Sequence, residues 1–211
     1  MILVTRPAHD SGTNYLYYWA GKVINEARKK MIGIIDLSKR KANRKEFASY
    51  IKKQKPSLVW INGHGSDDCV TGNDYEVLVN TSDKGLDHYP KIFVARSCRC
   101  GRLLGKFLLT KGTKAFIGYS DDYIIKTSNK YSTRPLLDPI AKLFLEASNY
   151  IVISLIKGHD VNESNERSKS MILNNLRSVL SKDSGDGNDL GRWLWHDYRN
   201  QIVLGKLDTR L

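Results

Sequence analysis

The chain has 211 residues, 41% of them hydrophobic and 27% charged, with a formal net charge of +12. That length suits one buried-core domain over 1–211 and leaves little room for a second. Three cysteines, an odd number, exclude a disulfide or metal framework of the usual spacing.

Met1 to Thr5 reads as a first strand that Arg6-Pro7 stops, and the loop His9 to Thr13 is polar enough to cap a helix. Tyr15 to Lys30 carries Leu16, Trp19, Val23, Ile24 and Ala27 at helical spacing. Met31 to Leu37 is a second strand. Arg44 to Gln54 is a basic amphipathic helix closed by Pro56, and Ser57 to Asn62 is a third strand. Strands and helices alternating over short connections argue for a mostly parallel central sheet flanked by helices.

A polar excursion from Ser66 to Tyr89 precedes a fourth main strand, Ile92 to Arg96. Leu103 to Thr110 is a helix, Ala115 to Tyr119 a fifth strand, and 120–137 an aperiodic stretch read as a long mobile loop. Asp138 to Asn149 is helical, and Tyr150 to Leu155 either extends it or forms a separate apolar segment. Asn162 to Ser181 is a helix, 183–188 a hinge, and Ile202 to Leu204 a late strand closing the sheet. No continuous apolar run reaches 18 residues, so no membrane partner is expected. A start that goes directly into a strand, without a secretory pattern, makes a reducing cytoplasm the expected location.

Two strands end in reactive side chains. The third continues Asn62-Gly63-His64-Gly65, and the fourth continues Arg96-Ser97-Cys98-Arg99, with His and Cys 34 positions apart. The carboxyl ends of parallel strands are where such sheets present their chemistry, and a thiol beside an imidazole is an activated nucleophile. Cys98 is the candidate nucleophile, with Arg99 expected to favour its thiolate, and His64 is the candidate proton carrier. The amides of Gly65 and Cys98 are the candidate oxyanion hole. Cys100 is the rival thiol, and Cys69 has no expected chemical role. His9, His64, His88, His159 and His196 never fall at ligand spacing, so no metal and no cofactor is expected.

These segments resemble the caspase-like cysteine peptidases, a group that includes caspases, metacaspases, legumain, clostripain, gingipains, separase and the CHAT domains. Leu58 to Gly65 and Ile92 to Cys98 match the two marks of that group, an apolar strand ending in His-Gly and one ending in a small residue and Cys. The stretch Gly112 to Ser120 is similar to CHAT and gingipain-like members. The resemblance implies a caspase-like three-layer sandwich, a Cys98–His64 dyad and endopeptidase activity on protein or peptide substrates, with an activating partner in some relatives.

In many relatives the residue two before the Cys lines the pocket for the side chain preceding the scissile bond. Here it is Arg96, which alone predicts an acidic residue there. Asp10, Asp121 and Asp122 are further candidates for substrate contact, with Asp67 and Asp68 near the rim. If Asp10 neutralised Arg96, a basic residue could be admitted instead, so the sign of the preferred charge stays open. The loop 120–137 is a candidate gating or self-cleavage segment, with Lys126, Lys130 and Arg134 as cut sites for an acidic pocket. Trp193 and Trp195 read as core packing or a subsite wall.

Between Arg28 and Lys55 stand eleven Lys or Arg against two acids. That block carries the competing reading, a regulatory module of the same fold that binds nucleic acid, another polyanion or a partner protein. It is also a solvated face of two helices. The Gly63-His64-Gly65-Ser66-Asp67-Asp68 run further resembles inositol-phosphate-gated toxin self-cleaving domains, a third reading.

Overall fold

Short runs rich in Val, Ile and Leu are buried on both sides, the pattern of strands covered by helices on two faces. In the computed structural model, which describes residues 1–82, 86–181 and 186–211, they form β1 (Ile2–Arg6), β2 (Ile34–Ser38), β3 (Leu58–Asn62), β6 (Ile92–Arg96) and β7 (Ala115–Tyr119). With β8 (Gln201–Gly205) they make one sheet in the order β2-β1-β3-β6-β7-β8. The first five are parallel, and β8 runs antiparallel to β7. The fold is therefore α/β with a mostly parallel six-stranded sheet.

Side-chain alternation divides the core. Val4, Trp60, Val94 and Ile117 face α1 (Ser11–Lys29) and α4 (Pro139–Ile156), packing on Ala20, Val23, Ile24, Val152 and Leu155. Leu3, Val59, Ile61, Phe93 and Phe116 face the other way, onto Phe47 and Ile51 of α2 (Arg44–Gln54) and Leu104 and Leu108 of α3 (Leu104–Thr110). Each such side chain, fully buried, contributes roughly 1.5–3 kcal/mol. α5 (Val161–Leu180) and α6 (Asp186–Asn200) follow α4 and share a further apolar cluster with it through Phe144, Ile172 and Leu194.

Helix starts are specified locally. Asp10 caps α1 in a capping box with Thr13, Asn43 caps α2 through the Glu46 N–H, and Asp138 caps α4 ahead of Pro139. α2 stops where Lys55 turns left-handed (φ 44°) before Pro56.

Three expectations change and one open alternative is settled. The polar excursion after His64 contains an antiparallel hairpin, β4 (Cys69–Thr71) and β5 (Val77–Asn80), too short for periodicity to show. Tyr150 to Leu155 extends α4 into one 18-residue helix, long and apolar enough by length to cross a membrane, but 61% of it is buried inside the protein. The stretch 120–137 is tied down rather than mobile. Asp197 accepts from Ile124 N–H (3.0 Å), Asp138 from Ser128 N–H (2.8 Å), and the Trp19 indole donates to Pro135 O (3.0 Å). Of the expected hinge, 183–185 lie outside the described residues, and 186–188 open α6.

Candidate active site

Register brings the two reactive residues to one place. β3 and β6 pair from Leu58↔Ile92 to Asn62↔Arg96, so their last residues are level. His64 and Cys98 each stand two residues beyond that line. β1 is the neighbour of β3 on its other side, and the chain reverses its direction of strand addition between them. Asp10, in the β1–α1 loop, thus arrives at the same edge, the switch point at which open sheets form their clefts.

His64, Cys98, Gly63, Ser97, Arg96, the first turns of α1 (Gly12, Thr13, Leu16) and Tyr123 to Ile125 line one cavity of about 300 Å³. His64 Nε2 lies 2.7 Å from Asp10 Oδ2. The carboxylate therefore fixes the ring proton on Nε2 and leaves Nδ1 as the acceptor. Tyr75 stacks on the ring (centroids 5.0 Å apart, 25° between planes). Burial opposes ionisation of Asp10, but hydrogen bonds from Thr13 N–H and His64 outweigh it and hold the carboxyl at about 2. Asp10 is thus a permanent anion behind the imidazole, a place that sequence reasoning had given to substrate contact.

Cys98 is half-buried against Tyr123, with its Sγ 3.9 Å from the Tyr123 carbonyl. Burial pushes its thiol up, and the neighbouring Asp122 adds to the rise. Arg99 acts to lower the thiol's pKa, as expected, but burial outweighs it, and Arg99 is itself paired with Asp122 (3.1 Å) and Asp67 (3.8 Å). The resting group is a neutral thiol that needs a base. Cys100 is fully buried on the α2–α3 face, its thiol pushed up to about 12 by burial. Cys69 sits in β4 beside Ser66 (3.2 Å).

Gly65 abuts the backbone of Cys98. A Cβ there would come within 2.9 Å of Cys98 O and of Ser97 Cβ, so no larger residue fits. Among the described residues neither the Gly65 nor the Cys98 N–H has a protein acceptor. Unpaired backbone amides, one on the cysteine itself and one on the residue after the histidine, are the kind of donor an oxyanion hole uses.

Arg96 is 2% exposed and lines the inner wall of the cavity. Its guanidinium donates to Ser148 Oγ (3.1 Å), Asn149 Oδ1 (2.8 Å) and Leu16 O (3.4 Å), and lies over Trp60 at 5.1 Å. All of these partners are neutral. The alternative Arg96–Asp10 pair does not form; Asp10 turns to His64 instead. Asp121 and Asp122 do not line the cavity; Asp121 faces Arg102 (3.4 Å), and Asp122 pairs with Arg99 (3.1 Å) beside the Cys98 thiol. Trp193 and Trp195 lie on α6 away from it, Trp195 stacked on Tyr198.

Sequence spacing missed one cluster. His9, Asp10 and His64 offer ligand atoms within 4.8 Å of one another, which separation along the chain conceals. No family model matches the chain, and no curated protein matches it.

Proposed function

We propose that the protein is a cysteine endopeptidase of caspase-like fold, acting through Cys98 and His64 with Asp10 orienting the imidazole. The observation that carries this reading is the level ending of β3 and β6, which opens one cavity onto both His64 and Cys98 while Asp10 holds the far ring nitrogen.

His64 Nδ1 takes the Cys98 proton as the sulfur attacks the scissile carbonyl carbon. The carbonyl oxygen becomes an oxyanion that accepts hydrogen bonds from the Gly65 and Cys98 N–H groups. The C–N bond breaks as the imidazolium returns its proton to the departing amine, leaving a thioester on Cys98. Water, deprotonated by His64, then hydrolyses the thioester to a carboxylic acid and the free thiol. Asp10 stabilises the imidazolium in both halves.

The cavity supports a preference for an acidic residue before the cut. Arg96 is a buried cation with only neutral partners, and Asp10 is already engaged, so a substrate carboxylate meets an uncompensated positive charge. On that reading Lys126, Lys130 and Arg134 are not self-cleavage sites. The three free thiols agree with a reducing compartment.

A second reading rests on Lys39, Arg40 and Lys41, which line a separate cavity of about 540 Å³ with Ala8, His9, Ser38, Asn73 and Asp74. It is a module that binds a polyanion without catalysis. Digestion of a proteome-derived peptide library by wild type and Cys98→Ala separates the two. Cleavage after Asp or Glu by wild type alone supports the peptidase. No cleavage, together with salt-sensitive retention of nucleic acid, supports the binding module.

A further inference from the structure

His9 is a buried imidazole without a hydrogen-bonding role. Its side chain is 8% exposed, and neither ring nitrogen makes a hydrogen bond to the described residues. Its Nε2 faces Asp10 Oδ2 at 3.2 Å, off the line that a hydrogen bond needs. His64 Nε2 approaches the same oxygen from the other side at 2.7 Å, and the Tyr75 hydroxyl lies 3.4 Å from it. Asp10 Oδ1 is taken by Thr13, through N–H at 2.8 Å and Oγ1 at 3.0 Å. Oδ2 is therefore the one carboxylate atom offered to the cluster, and its orientation is fixed by the helix cap behind it.

We infer that His9, Asp10 and His64 form a Zn²⁺ site whose occupancy switches off the cysteine centre. Two imidazole nitrogens and one carboxylate oxygen are a donor set that zinc takes, with a fourth position for water. With metal–ligand distances of about 2.0–2.2 Å, tetrahedral ligand atoms stand roughly 3.3 Å apart. The His9–Asp10 separation already matches that, while the His64 nitrogen must withdraw from its 2.7 Å hydrogen bond and the cluster, which spans up to 4.8 Å, must draw together.

The switching half rests on the peptidase reading and follows from the tautomer. Zinc binds Nε2 through its lone pair, so the proton now on Nε2 leaves and the neutral ring carries its proton on Nδ1. The atom that must accept the Cys98 proton has become a donor. The Asp10–His64 hydrogen bond is lost in the same event.

Zinc titration of Cys98→Ala, by calorimetry against a competing chelator, tests the site whether or not the protein cleaves peptides. One Zn²⁺ per chain is expected, with affinity falling by about a hundredfold or more in His9→Ala. Co²⁺ is expected to give a tetrahedral spectrum without thiolate charge-transfer absorption in wild type. Histidine ring NMR needs no substitution: Zn²⁺ should shift the signals of His9 and His64 and leave those of His88, His159 and His196. Absence of stoichiometric binding, binding that a folded His9→Ala retains, or thiolate absorption that Cys98→Ala removes would each overturn the site. Where wild type cleaves peptides, activity that survives full Zn²⁺ occupancy overturns the switch alone.

Discussion

Cys98 and Cys100 are two residues apart and share almost nothing. Cys100 lies among Leu104, Phe93 and Ala95 on the α2–α3 face, where the packing is almost wholly apolar and its thiol is inert. Cys98 lies over the α1–α4 face, where the apolar packing gives way to buried polar groups under the site: Arg96 on Ser148 and Asn149, Tyr123 on Ser148, and Tyr15 on Asp138. One face of the sheet supplies stability and the other holds charged and hydroxyl groups at fixed positions. On the proposed mechanism, which thiol can serve as nucleophile is set by the face its side chain joins, not by its neighbours in sequence.

The sharpest way to break that contrast is to exchange the thiols' fates. Cys98→Ala is expected to lower kcat/KM by about 10⁴-fold or more, whereas Cys100→Ala should keep activity and cost stability on the order of 1 kcal/mol. The reverse result in a peptide-cleavage assay would move the nucleophile to the buried position.

Asp10→Asn should come next, with kcat reduced by about 10²–10⁴-fold and KM little changed, because the amide no longer fixes the Nε2 tautomer. The same change bears on acid stability. The folded carboxyl is depressed to about 2 from its ordinary value of 3.8. Its contribution is thus present above about pH 4 and lost as pH falls towards about 2. Acid unfolding curves of wild type and Asp10→Asn should therefore converge at the low end of that window. Curves that stay parallel would deny the His64–Asp10 bond its role.

Arg96→Met tests the polar face directly. Discrimination in favour of Asp or Glu before the cut should fall by about a hundredfold. Stability should also drop by roughly 1–3 kcal/mol as Ser148 and Asn149 lose a partner. Equal cleavage of acidic and neutral substrates by wild type would remove the charged pocket. The smallest effect concerns the resting thiol. Because burial raises the Cys98 pKa, alkylation by a neutral reagent should climb with pH beyond the ordinary cysteine value of about 8.5. An apparent value below about 7 would mean a preformed thiolate.

Much of this was legible in the chain. The five parallel strands announce themselves as apolar runs, α2 is bounded by Asn43 and Pro56, and His64 and Cys98 stand at strand ends that the sheet then aligns. The partners were not legible. Asp10 reaches His64 only because β1 is the neighbour of β3, and Arg96 finds Ser148 and Asn149 more than fifty residues away. Tyr150 to Leu155 was ambiguous because β-branched residues fit a buried helix as well as a strand. No spacing rule links His9 to His64, since the loops that carry them follow different strands.

Asp74 and Tyr75 adopt left-handed backbone in succession, with φ of 52° and 60°. For L-residues that costs roughly 1–2 kcal/mol each, together more than the roughly 0.5–1.5 kcal/mol that one aromatic stack returns. The turn persists because Gly72 N–H donates to Glu76 O (2.8 Å) and Asn73 N–H to Ala42 O (2.7 Å). The histidine is consequently roofed by a phenol that does not depend on substrate, so its tilt and its protonation pattern have separate guardians. Damage to the hairpin tip should loosen the ring's attitude while leaving its proton where it was.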